Sequence, residues 1–299
     1  MGNKMLKYSQ FNESAKLNRD TYNAYFNRLL NILLSMYEWK GLPDTVDPRF
    51  IERTLAHEGK AVFFKDEVMG YLCLQVNING PLDVYGNPTS RRAYAVNGYT
   101  LELDNTNSVM LYNNATRTGS VADLELYASR LYEIERAIDV NVKGQKTPKI
   151  ITCEESQRLT MRNLYMKYDG NQPFIFADKS LDRDSIKVLD TSSPYVADNL
   201  RILLRQRFSD ALAFIGVDSN ISDKKERVVA EEVQSNRGIV EAQRSVHLAP
   251  RKLAAEQINK MFGLNVTVEF REELFDAPFI RQLMLDSILN SEDERGVEK

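Results

Sequence analysis

Two long apolar stripes on either side of a short mixed segment constrain the fold of this chain more than any other feature. The first stripe lies within residues 119–147 and consists of Leu124, Tyr127, Leu131, Ile134 and Ile138. The second lies within residues 193–216 and includes Leu200, Leu204 and Phe208. Apolar residues spaced by three and four predict a helix that buries one side. We therefore predict two long helices, the first capped by Ser120–Asp123 and the second by Ser193-Pro194.

The segment between the two stripes, residues 148–192, has the pattern of a compact α/β insert. Short runs of β-branched and aromatic residues predict strands at Lys149–Thr152, Phe174–Phe176 and Ile186–Leu189. A helix is predicted over Met161–Tyr168. The two long helices thus enter and leave a small folded insert.

The N-terminal part of the sequence predicts a long helix, a short helix and a small sheet. Helical spacing covers Glu13–Trp39, and Asp47-Pro48 is a good start signal for a helix that reaches Glu58. Turn residues then separate short apolar runs, which predict strands. These runs are Ala61–Phe64, Tyr71–Val76, Tyr94–Val96 and Val109–Tyr112.

The C-terminal part begins with a long polar segment, residues 217–246, which predicts a mobile loop, and unstructured connections of this length tend to be functional or disordered. A helix is expected over Pro250–Phe262, ending at Gly263, followed by a strand over Asn265–Phe270 and a last helix after Asp276. The fold class predicted from the whole pattern is mixed α/β and mainly α.

Charge and missing motifs exclude several classes of function. The formal net charge is -3, whereas proteins that hold DNA tightly are normally basic because counterion release supplies much of their affinity. No phosphate-binding or dinucleotide-binding glycine motif is present, and only His57, His247, Cys73 and Cys153 could supply nitrogen or sulfur ligands. We expect no cofactor, no metal and no catalytic residue. No signal peptide and no apolar run of about 20 residues is found, which predicts an intracellular chain without membrane contact.

One charged patch, Lys224-Lys225-Glu226-Arg227, allows two interpretations. It can be a solvated turn, or its Lys224, Lys225 and Arg227 can touch passing phosphates. The acids nearby, Glu231 and Glu232, would keep such contacts weak.

Several strings, in colinear order from Glu38 to Arg271, give the sequence a specific resemblance. They include Glu38–Pro43 with Glu52, Tyr112–Asn114, Val140-Asn141, Gln145–Pro148, Ile175–Ala177, Lys224–Val228 and Gly263–Val266. In these strings the chain resembles the upper-collar (portal, head–tail connector) proteins of small podophages with protein-primed DNA genomes.

The resemblance implies a portal fold that assembles as a dodecameric ring at the capsid vertex, through which double-stranded DNA is packaged and ejected and to which the tail attaches. It implies a wing (residues 1–118), a stem helix (119–147), a clip (148–192), a second stem helix (193–216), a channel loop (217–246) and a C-terminal wing or crown region (247–299). The implied partners are major capsid and scaffolding proteins, lower collar or tail proteins, a packaging ATPase, and DNA that is bound without sequence preference. In the family, contact with a packaging RNA is associated with a strongly basic N-terminus. Only Lys4 and Lys7 are basic in the first seven residues of this chain, so this contact is not expected from the resemblance.

A ring needs two different docking faces on each subunit. Apolar residues off the main stripes, such as Leu126 and Ile202, can supply such faces. Two alternatives stay open from the residues alone: a lower-collar or tail adaptor ring protein, and a nucleic-acid enzyme.

Overall fold

The structure is a computed structural model that describes residues 2–145, 150–152, 187–189, 194–218 and 230–271, with side chains for 14–145, 194–218 and 238–271. The chain forms two compact units. The larger contains Met1–Glu133 and Leu204–Lys299, and the smaller contains Ile134–Leu203.

The N-terminal helix ends earlier than predicted. Helix α1 covers Gly2–Ser35, and Tyr37–Lys40 form strand β1, which pairs antiparallel with a strand near the C-terminus over Thr267–Phe270. The prediction of a helix up to Trp39 was wrong because Tyr37 and Trp39 alternate with polar neighbours. That two-residue period buries both rings on one side of a strand.

The short helix after Asp47 is confirmed. Helix α2 covers Pro48–Glu58, and the Asp47 side chain accepts a hydrogen bond from the backbone N–H of Arg49. Gly59 ends the helix in the left-handed conformation, with φ of 74°, which favours glycine.

A five-stranded antiparallel sheet follows, in the order β5-β4-β3-β2-β6. Its strands are β2 (Lys60–Asp66), β3 (Gly70–Ile78), β4 (Ser90–Tyr94), β5 (Thr100–Asp104) and β6 (Ser108–Tyr112). The predicted strand at Tyr94–Val96 was wrong, because the strand ends at Tyr94 and a turn follows. Strand β5 was not predicted from the sequence, because it is an edge strand with one buried side chain, Leu103.

Both long striped helices are present. Helix α3 covers Val121–Gly144 and helix α4 covers Ala197–Ile215. The predicted start at Ser193-Pro194 was wrong: the helix begins at Ala197, and before it the Pro194 carbonyl and the Val196 N–H are hydrogen-bonded to the Asn141 side chain. Gly216 ends α4 as predicted: its N–H bonds to the Ala213 carbonyl and the Val217 N–H to the Leu212 carbonyl.

The smaller unit contains the end of α3, the start of α4 and a strand pair. Strands β7 (Ile150–Thr152) and β8 (Lys187–Leu189) pair antiparallel, with Ile150 opposite Leu189. Two of the predicted strands are therefore confirmed to within a residue. The predicted helix at Met161–Tyr168 and strand at Phe174–Phe176 lie outside the described residues.

The predicted polar loop is largely helical. Helix α5 covers Ala230–Phe262 and contains Pro250, which was expected to start it. The loop prediction for 217–246 was therefore wrong from Ala230 onward, because a helix needs only a narrow apolar face, and the buried Val240 lies on such a face here. Lys224, Lys225 and Arg227 lie outside the described residues, as does the helix expected after Asp276. Strand β9, Thr267–Phe270, is two residues shorter at its start than predicted.

Candidate functional site

A buried ion pair lies at the centre of the larger unit. The guanidinium of Arg251, on α5, donates to the carboxylate of Glu52, on α2, with an Nη2–Oε2 distance of 2.8 Å and an Nε–Oε1 distance of 3.0 Å. The two side chains are 2% and 4% exposed. Trp39, on β1, donates from Nε1 to Glu52 Oε1 at 2.8 Å, and the Tyr37 ring lies under the guanidinium at 4.5 Å.

Asn113, just after β6, completes the shell around Arg251. Its carbonyl accepts from Arg251 Nη1 at 3.0 Å, and its side-chain oxygen accepts from Nη2 at 3.2 Å. The His247 carbonyl accepts from Nη1 at 2.8 Å. The Asn113 amide in turn donates to Ser120 Oγ at the start of α3. One cluster therefore ties together α2, β1, β6, α5 and the entry to α3.

The balance of charges keeps the Arg251 side chain ionised. Burial alone lowers the pKa of Arg251, but the charge of Glu52, its hydrogen bonds and Tyr37 raise that pKa above its usual value. Every N–H of the guanidinium has an acceptor, which is what allows a buried ion pair to be tolerated. The cluster has no exposed reactive atom. We therefore interpret it as a structural site that holds the surrounding elements together.

His247 is neutral in this setting. Its Nδ1 lies 3.1 Å from the Asn113 carbonyl, which can only accept, so Nδ1 carries the proton. Burial and the charge of Arg251 lower the pKa of His247, and they outweigh the opposing effects of the Asn113 hydrogen bond and Glu52.

We expect His247 to make stability depend on pH. Below the unfolded-state pKa of 6.5, the unfolded chain binds more protons at this position than the folded chain, so the free energy of unfolding decreases as pH falls. His247→Gln should reduce the decrease measured by urea unfolding between about pH 7.5 and 5.5. His57→Gln, at an exposed position, is the control and should retain the wild-type decrease; equal pH dependence in both variants would contradict the prediction.

Among the described residues, the other potentially reactive groups are buried or isolated. Cys73 is buried, and burial, with the charge of Glu52, raises the pKa of its thiol, which makes it inert. In the part of the chain that the structure describes, no cluster of three or more His, Cys, Asp or Glu residues could hold a metal ion. Among the described helices, none has both the length and the apolar character of a membrane span.

The residues singled out in the helical stripes differ in burial. Leu124, Leu131 and Phe208 are buried in the core of the larger unit, and Leu204 packs against that core while half-buried. Ile138 and Leu200 are half-buried in the smaller unit. Off the stripes, Leu126 is 50% exposed and Ile202 is 55% exposed.

Asn141 fixes the end of α3 to the segment before α4 within the smaller unit. Its Nδ2 donates to the Pro194 carbonyl at 2.9 Å and its Oδ1 accepts from the Val196 N–H at 3.0 Å. An asparagine side chain can satisfy both partners because it offers a donor and an acceptor side by side. No sequence pattern predicts this contact, since its partners are 53 and 55 residues away.

The buried cluster around Arg251 was not predicted from the sequence either. Trp39, Glu52 and Asn113 belong to strings that carry the family resemblance, yet Arg251 lies outside them. Arg251 and Glu52 are separated by 199 residues. A glutamate on an otherwise buried helix face, as in Ile51-Glu52, is the one local signal that a buried partner exists.

Comparison with known proteins decides the family. The family model described as Phage Connector (GP10) matches residues 7–275. The chain belongs to the phage connector family, the portal proteins at the head–tail connector of bacteriophages. This family is structural and not catalytic.

One solved structure supports a portal fold for this connector protein, and two others show weaker similarity. A chain in the structure of the portal and tail of native bacteriophage P68 matches with a TM-score of 0.52 and 18% identity over 97% of both chains. An HK97 family phage portal protein from Corynebacterium diphtheriae matches with a TM-score of 0.42 and 12% identity, over 83% of this chain and 91% of that one. A chain of the native gene transfer agent virion matches with a TM-score of 0.43 and 12% identity, over 96% and 91%.

Proposed function

We propose that this connector protein forms a closed ring of twelve subunits at the portal vertex of the capsid, and that double-stranded DNA enters and leaves through the ring. The observation that carries the proposal is the family match over residues 7–275. The tail would attach to the same ring, and the protein-primed podophages remain the group that the sequence strings favour. Assembly in the host cytoplasm is part of the same proposal.

The amphipathic helices support the ring. Helices α3 and α4 bury one stripe within the subunit and leave Leu126 and Ile202 half-exposed. A head-to-tail ring requires such additional surfaces on each subunit, since the face that docks differs from the face that receives. In the portal arrangement these two helices would be the stem, and Ile138, Leu200 and Leu204 would pack in it.

The charge of the chain supports a channel through which DNA slides. With a net charge of -3, the subunit cannot bind phosphates as tightly as a basic DNA-binding protein does. Lys224, Lys225 and Arg227 would face the lumen as the channel loop, and their contacts, each weak, would add over the ring. A separate packaging ATPase would supply the energy, and capsid, scaffolding and lower-collar proteins would be the other partners.

The lower-collar or tail adaptor ring is the second candidate. It would share the ring geometry and the location in the virion. The match to the connector family over most of the chain favours the portal assignment instead. A nucleic-acid enzyme has no supporting constellation among the residues that the structure describes.

Native mass spectrometry with negative-stain imaging tests the proposal. We expect closed rings of twelve subunits with a central hole, and a monomer at all concentrations would overturn it.

Replacement of Lys224, Lys225 and Arg227 by alanine should leave the rings intact if these residues form the proposed channel loop, because substitutions on a solvated surface usually change stability by no more than about 0.5 kcal/mol. The same variant should retain less packaged DNA. Retention at the wild-type level would instead support the interpretation of these residues as a solvated turn.

A further inference from the structure

Two neighbouring turns at one end of strand β3 are fixed to each other by Asp66. Its Oδ1 accepts from the backbone N–H groups of Val68 and Met69, each at 2.8 Å. Its Oδ2 accepts from the hydroxyl of Tyr99 at 2.6 Å. The β2–β3 turn and the β4–β5 turn are therefore linked by hydrogen bonds to a single carboxylate.

These two turns present apolar side chains to solvent. Val68 is 92% exposed and Val96 is 96% exposed, with the half-exposed Met69 beside Val68. We call Val68, Met69 and Val96 the turn surface.

The loop after β3 presents a second set of apolar side chains. The Asp83 carboxylate accepts from the N–H groups of Tyr85 and Asn87 at 2.9 and 2.7 Å, and from Asn87 Nδ2 at 2.9 Å. Arg117 clamps the base of the loop, donating from Nη2 to Asn87 Oδ1 at 2.6 Å. Val84 and Tyr85 are 92% and 85% exposed at the tip, next to the exposed Leu82. We call Leu82, Val84 and Tyr85 the loop surface.

Both surfaces have the properties of protein-binding sites. Each holds large apolar groups in water on a backbone that its own hydrogen bonds already fix, so little conformational entropy remains to be lost on binding. The two surfaces lie at opposite ends of β3. This strand has nine residues and spans on the order of 25 Å, so one small partner cannot cover both.

A second copy of this chain accounts for both surfaces at once. A head-to-tail ring needs two different faces on every subunit, whereas a capsid or tail protein would need one. The charges beside the two surfaces differ: acidic side chains outnumber Lys65 beside the turn surface, whereas Arg117 offsets Asp83 at the loop surface. Exposed Glu67 adjoins the turn surface, and Asp44 lies close by through the hydrogen bond from Thr45 to the Tyr71 carbonyl. Exposed Arg117 adjoins the loop surface.

We propose that the turn surface of one subunit docks onto the loop surface of the next copy around the ring. The inference rests on the proposed ring and names a contact within it that lies away from helices α3 and α4. The apolar tips supply the buried area, and Arg117 of one copy faces Glu67 of the next.

Cysteine cross-linking tests the contact. Val96→Cys and Tyr85→Cys are introduced together and separately in a Cys153→Ser background, and rings are treated with a short bismaleimide. Cys73 does not interfere, because it is buried. The double variant should convert the monomer band on a denaturing gel into a ladder that ends at the full ring. Each single variant should remain a monomer, since a head-to-tail contact brings no residue next to its own copy.

The outcomes separate this inference from the proposed function. Rings that form normally while the double variant stays monomeric on the gel would overturn the contact and leave the ring in place. Dimers from either single variant would overturn its head-to-tail form. Tips that react with a maleimide equally fast in rings and in dissociated subunits would mean that ring formation does not cover them, which also overturns the inference. A wild-type protein that forms no rings would overturn the proposed function instead.

A loss of assembly provides an independent measurement. Val84→Ser combined with Tyr85→Ser should give folded subunits whose rings form only at several-fold higher concentration, because both side chains are exposed in the subunit. An unchanged assembly midpoint would count against the contact.

Discussion

Arg251→Met is expected to lower the free energy of unfolding by about 3–5 kcal/mol, since it leaves the Glu52 carboxylate buried without its partner. The pair is at most 4% exposed, so water cannot replace the lost hydrogen bonds. The Asn113 and His247 carbonyls each lose a donor in the same step. The measurement is urea unfolding at a concentration where wild type and variant are both monomeric.

A double variant and a control make this result specific. Glu52→Gln combined with Arg251→Met removes both charges and should cost less than the sum of the two single variants. Lys252→Met removes a positive charge from the exposed neighbour on α5 and should change stability by no more than about 0.5 kcal/mol. A cost below about 1 kcal/mol for Arg251→Met would mean that the ion pair contributes nothing beyond a surface pair.

Gly119→Ala is expected to be the second severe substitution. A Cβ at residue 119 would lie 2.7 Å from the Ala56 carbonyl oxygen and closer still to that of His57, both in the last turn of α2. Backbone atoms cannot move aside as a flexible side chain can. The turn is also held there by the hydrogen bond from the Ser120 N–H to the Ala56 carbonyl at 2.8 Å. We expect a loss of roughly 3 kcal/mol or more, at the upper end of the usual cost of overpacking.

Gly238→Ala is the matched control. Gly238 lies inside α5, and a Cβ there would meet no atom within 4 Å. Alanine is favoured over glycine in a helix interior by roughly 0.5–1 kcal/mol, so this variant should be slightly more stable than wild type. Similar losses in the two variants would show that α2 and the start of α3 do not approach as closely as described.

The contrast between these two glycines shows what sequence patterns cannot predict and the folded structure explains. Residues 119 and 238 are both glycines near helices, and nothing in their neighbours in sequence ranks one above the other. The difference comes from α2, which lies about sixty residues before Gly119 in the chain. Only folding brings its carbonyl groups there.

Helical periodicity was the most reliable signal. It located α3 and α4, because a stripe such as Leu124 to Ile138 has few ways to bury itself except as one face of a helix. It failed for Ala230–Ser245, where a mainly polar segment is helical with a narrow buried face around Val240. It failed again at Tyr37–Lys40, where pairing with Thr267–Phe270 overrides the helix that precedes it.

Sequence patterns alone were enough to predict the helical stripes, the small sheet and, through the colinear strings, the connector family. Those features are local or repeat along the chain, so neighbouring residues suffice to specify them. The Glu52–Arg251 pair, the Asn141 link and the two apolar surfaces at the ends of β3 emerge only when the chain has folded. Each depends on atoms that are far apart in sequence or on which side chains remain in water after the core has formed, and a pattern of neighbours contains no information on either.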